Sequence, residues 1–443
     1  MSADSPARGD APHAPLGLWM CVALVVGNSI GSGVFLLPAS LAPFGLNSPI
    51  AWLFTAAGAI ALALVFTQLS RAHPEAGGPY AYTRLAFGPL TAFLVAWGYW
   101  ISVWVGNAAI ATGTVSYLSS LVPWIASSRA APAIVTLAML WGLTFVNVYG
   151  VRAAGWVQSI TTVLKLMPLL TIAAAGLFSV RASDFAAAAK VMPLSLHGVT
   201  AAATLTLWAL LGLESATIPA DKVRDPSRTI PAATLLGTVL TAVICLIACS
   251  AVVLLVPSPV LAHSNAPFVD LAVRLWGRGA GVLVAAFAAI SGFGALNGWI
   301  LLQGEVPHAM AKTGVFPSVF AIESPRRTPT FALVFSSGLI TALVLMNYQQ
   351  SMVHIFTFMI LLSTTACLVT YALCALALLR LMWMGRMRGA RMGSAALALV
   401  GVAAALYSLW AIAGAGGEAN AWGCVLFICG LPLYFLVRAR RAP

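Results

Sequence analysis

The sequence predicts an all-α membrane protein with about twelve transmembrane helices. Of its 443 residues, 61% are hydrophobic and only 8% are charged, whereas a soluble domain carries roughly 25% charged residues. Apolar stretches of about 18 residues or more, long enough to cross a bilayer as a helix, recur along almost the whole chain. A soluble enzyme and a nucleic-acid-binding domain are therefore excluded, although the formal net charge is +12.

Twelve spans are predicted within a single transmembrane domain over residues 16–437. A polar tail at 1–15 precedes this domain, and a basic tail at 438–443 follows it. The loops between the spans are too short to hold a further domain. The spans are predicted at 16–38, 48–69, 90–118, 131–149, 156–178, 198–219, 232–256, 279–303, 330–346, 352–379, 393–414 and 420–437.

The positions of lysine and arginine predict the orientation of the chain. If the N-terminus is cytoplasmic, 17 of the 23 basic residues fall in the tails and the even-numbered loops, and 5 fall on the opposite side. The remaining one, Lys165, lies inside the fifth span. Because cytoplasmic loops are enriched in Lys and Arg, both termini are predicted on the cytoplasmic side of the cell inner membrane. The net charge is thus a topology signal, and no nucleic-acid partner is expected.

Two ionisable residues are predicted at mid-membrane. Glu214 is the only one of eleven acidic residues that lies in the middle of a span, and Lys165 is its basic counterpart. A charge there costs roughly 2.5–3.5 kcal/mol on insertion scales, so we expect each residue to have a function. The alternatives are a neutral Glu214 hydrogen-bonded between helices and a Lys165 bonded to frayed backbone carbonyls.

Other kinds of site and function are disfavoured. The seven cysteines all lie within spans and the six histidines form no ligand-spaced cluster, so we expect no disulfide, no metal and no cofactor. No span carries a HExxH, a GxSxG or paired carboxylates, which argues against a membrane-embedded enzyme. An isolated mid-membrane site argues against a channel. A sensor built on a transporter fold stays open as an alternative.

The first and sixth spans are predicted to be interrupted. Residues 27–39 contain three glycines within seven positions, and each glycine costs about 1 kcal/mol relative to alanine in a helix. A shift of the chain by 181 residues aligns Gly31 with Gly212 and Pro38 with Pro219. Short segments broken by glycine and proline at matching places in two halves indicate the site of a transporter.

The two interrupted spans divide the domain into predicted repeats. Five spans fall in each half, so repeat 1 (about 16–178) and repeat 2 (about 198–379) are predicted to be inverted relative to one another. Helices 11 and 12, at about 393–437, lie outside both repeats. The predicted core is therefore five plus five helices.

An unwound mid-membrane segment must line a cavity and bind something, because lipid cannot satisfy its backbone groups. The half-helix that begins at Ser32 and Gly33 directs N–H groups and a positive dipole end at the cavity, which suits a carboxylate. Freed carbonyls that suit an ammonium are predicted near Ser29, Ile30, Trp208 and Leu211. Such a site fits an α-amino acid. The alternative is that the glycines only let helices pack closely.

The first-span motif GNSIGSGVFLLPA at 27–39 resembles that of the amino acid–polyamine–organocation family of transporters. Within it, the chain is most similar to the bacterial arginine/agmatine, lysine/cadaverine and ornithine/putrescine exchangers. Supporting stretches lie at 77–82, 104–107 and 208–215. The resemblance implies twelve spans, a five-plus-five inverted-repeat core of the LeuT type, alternating access and often a homodimer.

The resemblance also implies roles for individual residues. Ser32 and Gly33 match the positions that bind the substrate carboxylate. Asn107 matches a residue that hydrogen-bonds a guanidinium, and Trp208 matches the aromatic wall that stacks on it. The remaining matches are an aromatic gate at Trp299, a lining hydroxyl at Ser363, and a lower, proton-sensing gate formed by Tyr99, Glu214 and Tyr371.

Lys165 departs from the arginine-exchanger pattern, in which this position is apolar. In other branches of the family a lysine here resembles a substitute for the sodium ion of sodium-driven relatives. We therefore expect a sodium-independent exchanger of a basic amino acid such as arginine for its decarboxylated amine such as agmatine. A proton-coupled or facilitative amino-acid permease of broader specificity is the alternative. The expected partners are this small substrate and membrane lipid.

Overall fold

The long elements of the structure are all helices. The computed structural model describes residues 17–31, 33–74, 78–128, 130–149, 154–217, 223–326 and 328–439, without the side chains of 154–163 and 165. Within these residues, nine helices are long and apolar enough to cross a membrane, and two bent helix pairs raise the number to as many as eleven. The predicted all-α membrane class is confirmed, whereas the count of twelve spans and the inverted repeat stay predictions.

The helices are numbered here in chain order. Those in the first half are α1 (Leu18–Ser29), α2 (Gly33–Leu41), α3 (Asn47–Ala72), α4 (Pro79–Phe87), α5 (Pro89–Leu121), α6 (Ala130–Tyr149), α7 (Ala154–Ser179), α8 (Ala182–Val191) and α9 (Leu196–Trp208). Those in the second half are α10 (Pro226–Leu255), α11 (Ser258–Leu261), α12 (Pro267–Trp276), α13 (Arg278–Lys312), α14 (Thr330–Asn347), α15 (Met352–Trp383), α16 (Ser394–Gly414) and α17 (Gly416–Ala439).

The first predicted span is interrupted, as expected. Its first half, α1, ends at Ser29, its second half begins at Gly33, and the two axes differ by 46°. Between them, the N–H of Gly31 donates to the carbonyl of Ser29 at 2.9 Å. Ser32, the predicted carboxylate-binding residue, lies outside the described residues.

The sixth predicted span is interrupted as well. Helix α9 ends at Trp208, residues 209–214 form turns, and a short 3-10 helix covers Ser215–Thr217. Gly212 has a φ of +94°, a left-handed conformation that only glycine adopts readily. The turn is held locally by the N–H of Ser215, which donates to the carbonyl of Gly212 at 2.9 Å.

Helix α5 is the central helix of the bundle. In its most apolar window 83% of the residues are buried, against 17% for α17. It packs along both α13 and α15, and all three carry cavity residues. Helix α17 therefore lies at the periphery, where apolar side chains such as Ile428 and Phe435 are exposed and suit contact with lipid.

Four short helices fall in segments predicted as loops, namely α4, α8, α11 and α12. Helix α8 carries Asp184 in its first turn and Lys190 in its last, and α12 carries Asp270 and Arg274 in the same places. This arrangement of charge complements the helix macrodipole. In α8 and α12, an acidic residue near the start and a basic residue near the end of ten residues therefore indicate a short helix, which a search for apolar spans misses.

Candidate substrate site between the two helix breaks

Both helix breaks face one small cavity of about 40 Å³. Ligand pockets usually measure roughly 300–1,000 Å³, so this cavity has room for only a few water molecules. Seven of the residues predicted from the sequence line it: Ser29, Tyr99, Trp208, Leu211, Glu214, Trp299 and Ser363. A whole amino acid enters only if the surrounding helices or side chains move.

Gly33 lies against the indole ring of Trp208. A Cβ atom on residue 33 would lie 2.2 Å from ring carbons of Trp208 and 2.9 Å from the ring of Phe356. The indole also packs edge-on against Phe356, with ring centroids 5.7 Å apart, and Trp208 is only 7% exposed. The end of α9 is therefore held tightly across the start of α2, and only glycine fits at position 33.

Glu214 is buried at the second break, with 1% of its surface exposed. Its Oε2 accepts a hydrogen bond from the Tyr371 hydroxyl, which in turn accepts one from the N–H of Gly212 at 3.3 Å. Its Oε1 has no hydrogen-bond partner among the residues that the structure describes, and Tyr99 lies near it. One carboxylate oxygen is thus held in place, and the other can take a proton, a cationic group or a hydrogen bond from the nearby Tyr99 hydroxyl.

The first break also leaves polar groups facing the cavity. The Oγ of Ser29 is buried without a hydrogen-bond partner in the described part of the chain. The carbonyl of Ser29 accepts one turn hydrogen bond, from Gly31, and that of Trp208 accepts one from Leu211 at 3.3 Å. Since a carbonyl has two lone pairs, each of these oxygens has capacity for a further donor.

Two serine hydroxyls close another side of the cavity. The Oγ of Ser363, on α15, donates to the carbonyl of Ser102 on α5 at 2.8 Å, and the two Oγ atoms are 3.2 Å apart. This pair joins the two helices and presents hydroxyl oxygens to the cavity. Ser363 was expected there, whereas Ser102 was not.

Several residues singled out in the sequence do not line the cavity in this conformation. Asn107 is fully buried, and its Nδ2 donates to Gln303 Oε1 at 2.7 Å and to the carbonyl of Trp299 at 3.1 Å. Ile30, Gly33 and Tyr371 are buried behind the cavity wall. The Lys165 side chain lies outside the described part of the structure.

Eight residues that the sequence analysis did not select as site residues also line the cavity: Asn28, Gly31, Ser102, Val103, Gly106, Ile110, Gly212 and Cys367. Helical periodicity was the signal that could have found several of them. Starting from Tyr99, the positions i+3, i+4, i+7 and i+11 share its face of α5. On α15, Cys367 follows Ser363 by one turn. Asn107 falls about 100° away from Gly106, off the centre of that face.

The arrangement can bind and enclose a small molecule. Among the described residues, no group of three or more His, Cys, Asp or Glu side chains could hold a metal ion. Two helices interrupted within a membrane bundle, both facing one small cavity with a buried acid, are the features of a secondary transporter. The fold and the site therefore define a membrane transporter of small solutes.

Comparison with known proteins identifies the family. Residues 16–433 match the amino acid permease family. The chain is 35% identical to a cadaverine/lysine antiporter of Escherichia coli (strain K12), over 75% of this chain and 74% of the relative. It is 32% identical to a Bacillus subtilis (strain 168) protein provisionally named an arginine/ornithine antiporter, over 95% of each chain. It is also 30% identical to the putrescine transporter PotE of Haemophilus influenzae, over 95% and 97%.

The chain belongs to the amino acid permeases of the amino acid–polyamine–organocation family. The resemblance of the first-span motif is thereby confirmed, and with it the expectation of a multi-pass transporter that is not an enzyme.

Proposed function

We propose that the chain exchanges a basic amino acid for its decarboxylated amine by alternating access, and that arginine and agmatine are the preferred pair. The relatives are named for arginine, ornithine, lysine, cadaverine and putrescine. These molecules share one or two cationic ends on a flexible aliphatic chain. The proposal places the chain in the cell inner membrane with both termini in the cytoplasm, as the lysine and arginine distribution predicts.

The observation that carries this proposal is the charge of the cavity. Its lining includes the Glu214 carboxyl group, the indoles of Trp208 and Trp299 and, within the described residues, no basic side chain. A carboxylate attracts a cation, and an indole face adds about 0.5–2 kcal/mol through a cation–π contact. A substrate with a net negative charge would find no basic partner among these groups.

The test is counterflow in proteoliposomes. Labelled arginine, lysine, ornithine and a neutral amino acid are offered to vesicles preloaded with agmatine, cadaverine, putrescine or nothing. Exchange predicts uptake of arginine that is strongly stimulated by internal agmatine and nearly absent in empty vesicles. Uptake into empty vesicles driven by a proton gradient would instead establish the proton-coupled permease. Equal uptake of neutral and basic amino acids would contradict the proposed specificity.

Asn107→Ala is expected to weaken arginine affinity selectively. Loss of a hydrogen bond to a charged group costs about 1–3 kcal/mol, so the concentration for half-maximal exchange should rise roughly ten- to hundredfold. Neutral substrates should be affected less. The measurement is the affinity for arginine and for one neutral amino acid in the same vesicles.

The matched control is Asn147→Ala. Asn147 is another buried asparagine that joins two helices, through Asn297 Oδ1 at 2.8 Å, but its helix α6 contributes no residue to the cavity, whereas α5, which carries Asn107, contributes five. Its loss should lower stability without changing the ratio of the two affinities. An equal loss for every amino acid in Asn107→Ala would show that Asn107 is structural.

Transport is expected to be independent of sodium. In this proposal the Lys165 ammonium takes the place of a sodium ion at the first helix break, where it satisfies backbone carbonyls. Replacing sodium by choline should leave wild-type exchange unchanged. Lys165→Ala should slow turnover more than it lowers expression, because the carbonyls lose their partner. Stimulation of wild-type uptake by sodium would refute this role.

A further inference from the structure

A chain of buried hydrogen bonds leads from Asn107 across three helices to the backbone of a fourth. Asn107 Nδ2 donates to Gln303 Oε1 at 2.7 Å, and Gln303 Nε2 donates to Ser337 Oγ at 2.9 Å. The Oγ of Ser337 lies 2.8 Å from Thr144 Oγ1, which donates to the carbonyl of Leu140 at 2.8 Å. We call this chain the Asn107 relay. Its four side chains, on α5, α13, α14 and α6, are at most 1% exposed.

The donor and acceptor roles along the Asn107 relay are fixed, because each end of the relay meets a backbone carbonyl, which can only accept a hydrogen bond. At the far end, the single Thr144 hydroxyl hydrogen goes to the Leu140 carbonyl, so Ser337 donates to Thr144 and accepts from Gln303. At the near end, the second hydrogen of Asn107 Nδ2 goes to the carbonyl of Trp299 at 3.1 Å. If the Asn107 amide were reversed, its Oδ1 would face the oxygens of Gln303 and Trp299, and neither hydrogen bond could form. If the Gln303 amide were reversed, its Nε2 would face the Asn107 Nδ2, and two donors would meet.

This geometry leaves Asn107 with one open group, its Oδ1. That oxygen is buried and has no hydrogen-bond partner among the described residues. Asn107 follows Gly106 and lies between Val103 and Ile110 on α5, and these three residues all line the cavity. When the cavity widens to admit a substrate, Asn107 Oδ1 is therefore an unsatisfied acceptor of α5 next to the cavity lining.

We propose that the Asn107 relay positions Asn107 as an obligate hydrogen-bond acceptor and so selects substrates whose side chain ends in N–H donors. Guanidinium and ammonium groups are donors only, and they match the Oδ1 of Asn107. A ureido or carboxamide end of similar shape replaces one of these donors with a carbonyl oxygen, so it can donate to Oδ1 in only one of its two orientations and fits less well. This inference rests on the proposed function, and it makes Gln303 and Ser337 positioning residues that never touch the substrate.

The test compares arginine with citrulline, its uncharged ureido analogue of nearly the same shape. In vesicles preloaded with agmatine, citrulline competes against labelled arginine, and the ratio of the two half-maximal concentrations is measured. Gln303→Met removes one of the two acceptors that hold the Asn107 amide and leaves only the longer bond to the Trp299 carbonyl, so the amide can turn more readily and donate to citrulline. The preference for arginine should fall about tenfold, the effect of one correctly oriented hydrogen bond.

Two serines on the same helix provide the second variant and its control. Ser337→Ala breaks the Asn107 relay one bond further away, so the preference should fall in the same direction by a smaller factor. Ser336 is equally buried, but it bonds Trp100 Nε1 and the backbone carbonyl of Gln303 instead. Ser336→Ala removes a buried hydroxyl that bonds Gln303 only at its backbone and makes none of the side-chain hydrogen bonds of the relay, so it should leave the ratio at the wild-type value.

The outcomes separate this inference from the proposed function. A preference that persists in both Gln303→Met and Ser337→Ala, while arginine exchange continues, overturns the Asn107 relay. An equal fall in Ser336→Ala also overturns it, because the effect is then one of general packing. A wild-type protein that exchanges no cationic amino acid at all overturns the proposed function itself, and this inference with it.

Discussion

Gly33→Ala is expected to abolish exchange. The added methyl carbon would lie 2.2 Å from the Trp208 ring and 2.9 Å from the Phe356 ring, and a distance below 3 Å forces a neighbour to move. Neither ring can yield easily, because each packs edge-on against the other in a core where off-rotamer side chains cost about 1–3 kcal/mol. The expected result is arginine counterflow at least about a hundredfold below wild type, a barrier increase of about 2.7 kcal/mol.

Gly113→Ala is the matched control for this prediction. Gly113 lies on α5 and shares the Phe356 contact, but a Cβ there would be 3.7 Å from Gly33 Cα and 3.8 Å from Phe356. These are ordinary contacts, so its counterflow should stay close to that of the wild type. Normal exchange in Gly33→Ala would show that Trp208 leaves Gly33 freely during transport.

A double variant separates packing from substrate binding. Gly33→Ala with Trp208→Leu removes the clash with the indole and leaves only the 2.9 Å contact with Phe356, so the unfolding temperature in detergent should recover most of what Gly33→Ala loses. Arginine affinity should not recover, because the stacking face is gone. Recovery of both would show that Trp208 has no contact with the substrate.

The helix breaks could be predicted from the sequence because their causes are local. The glycines around Gly31 and the left-handed φ of Gly212 act within a few residues, and glycine in a helix is unfavourable whatever surrounds it. Mid-membrane charge likewise singles out Glu214 without knowledge of its neighbours. The structure describes both breaks and places Glu214 between them, with Tyr371 bonded to it.

The remainder of the site depends on contacts between helices that are distant in sequence. Asn107 and Gln303 are 196 residues apart, and no local pattern announces that they meet. The family motif selected Asn107, whereas helical periodicity favours Gly106 and Ser102 on the cavity face. The motif and the periodicity give different information. The family motif predicts which residues contact a substrate when the site is open, and the periodicity predicts which residues line the cavity in this conformation.

The pH dependence of exchange is expected to depend on Glu214. Its Oε2 is held by Tyr371, and its Oε1 has no partner within the described structure. A buried carboxylate with an unpaired oxygen is unfavourable, so either a proton or the cation of a bound substrate must stabilise it. We therefore expect the proton on Glu214 to leave when a cationic substrate arrives, which couples external pH to the transport cycle.

Asp270 provides the matched control for a titrating group. It lies on α12, outside the candidate spans, where burial raises its pKa despite a hydrogen bond from Ser264 that acts in the opposite direction. Asp270 thus also gains its proton at a higher pH than an ordinary aspartate. Asp270→Asn should leave the pH profile of exchange unchanged, which assigns any effect at Glu214 to its place in the cavity.

Glu214→Gln should therefore flatten the pH profile while exchange itself persists. The glutamine keeps the shape and can still accept from Tyr371, so the rate at the optimum should stay within about tenfold of wild type. Glu214→Ala should lose a further tenfold or about 1–3 kcal/mol, because the Tyr371 hydroxyl is left buried without its acceptor. The measurement is arginine/agmatine exchange at a series of external pH values with the internal pH held constant. If Glu214→Gln kept the wild-type profile, Glu214 would be a satisfied polar residue of the bundle, and the group that senses protons would have to be sought elsewhere in the chain.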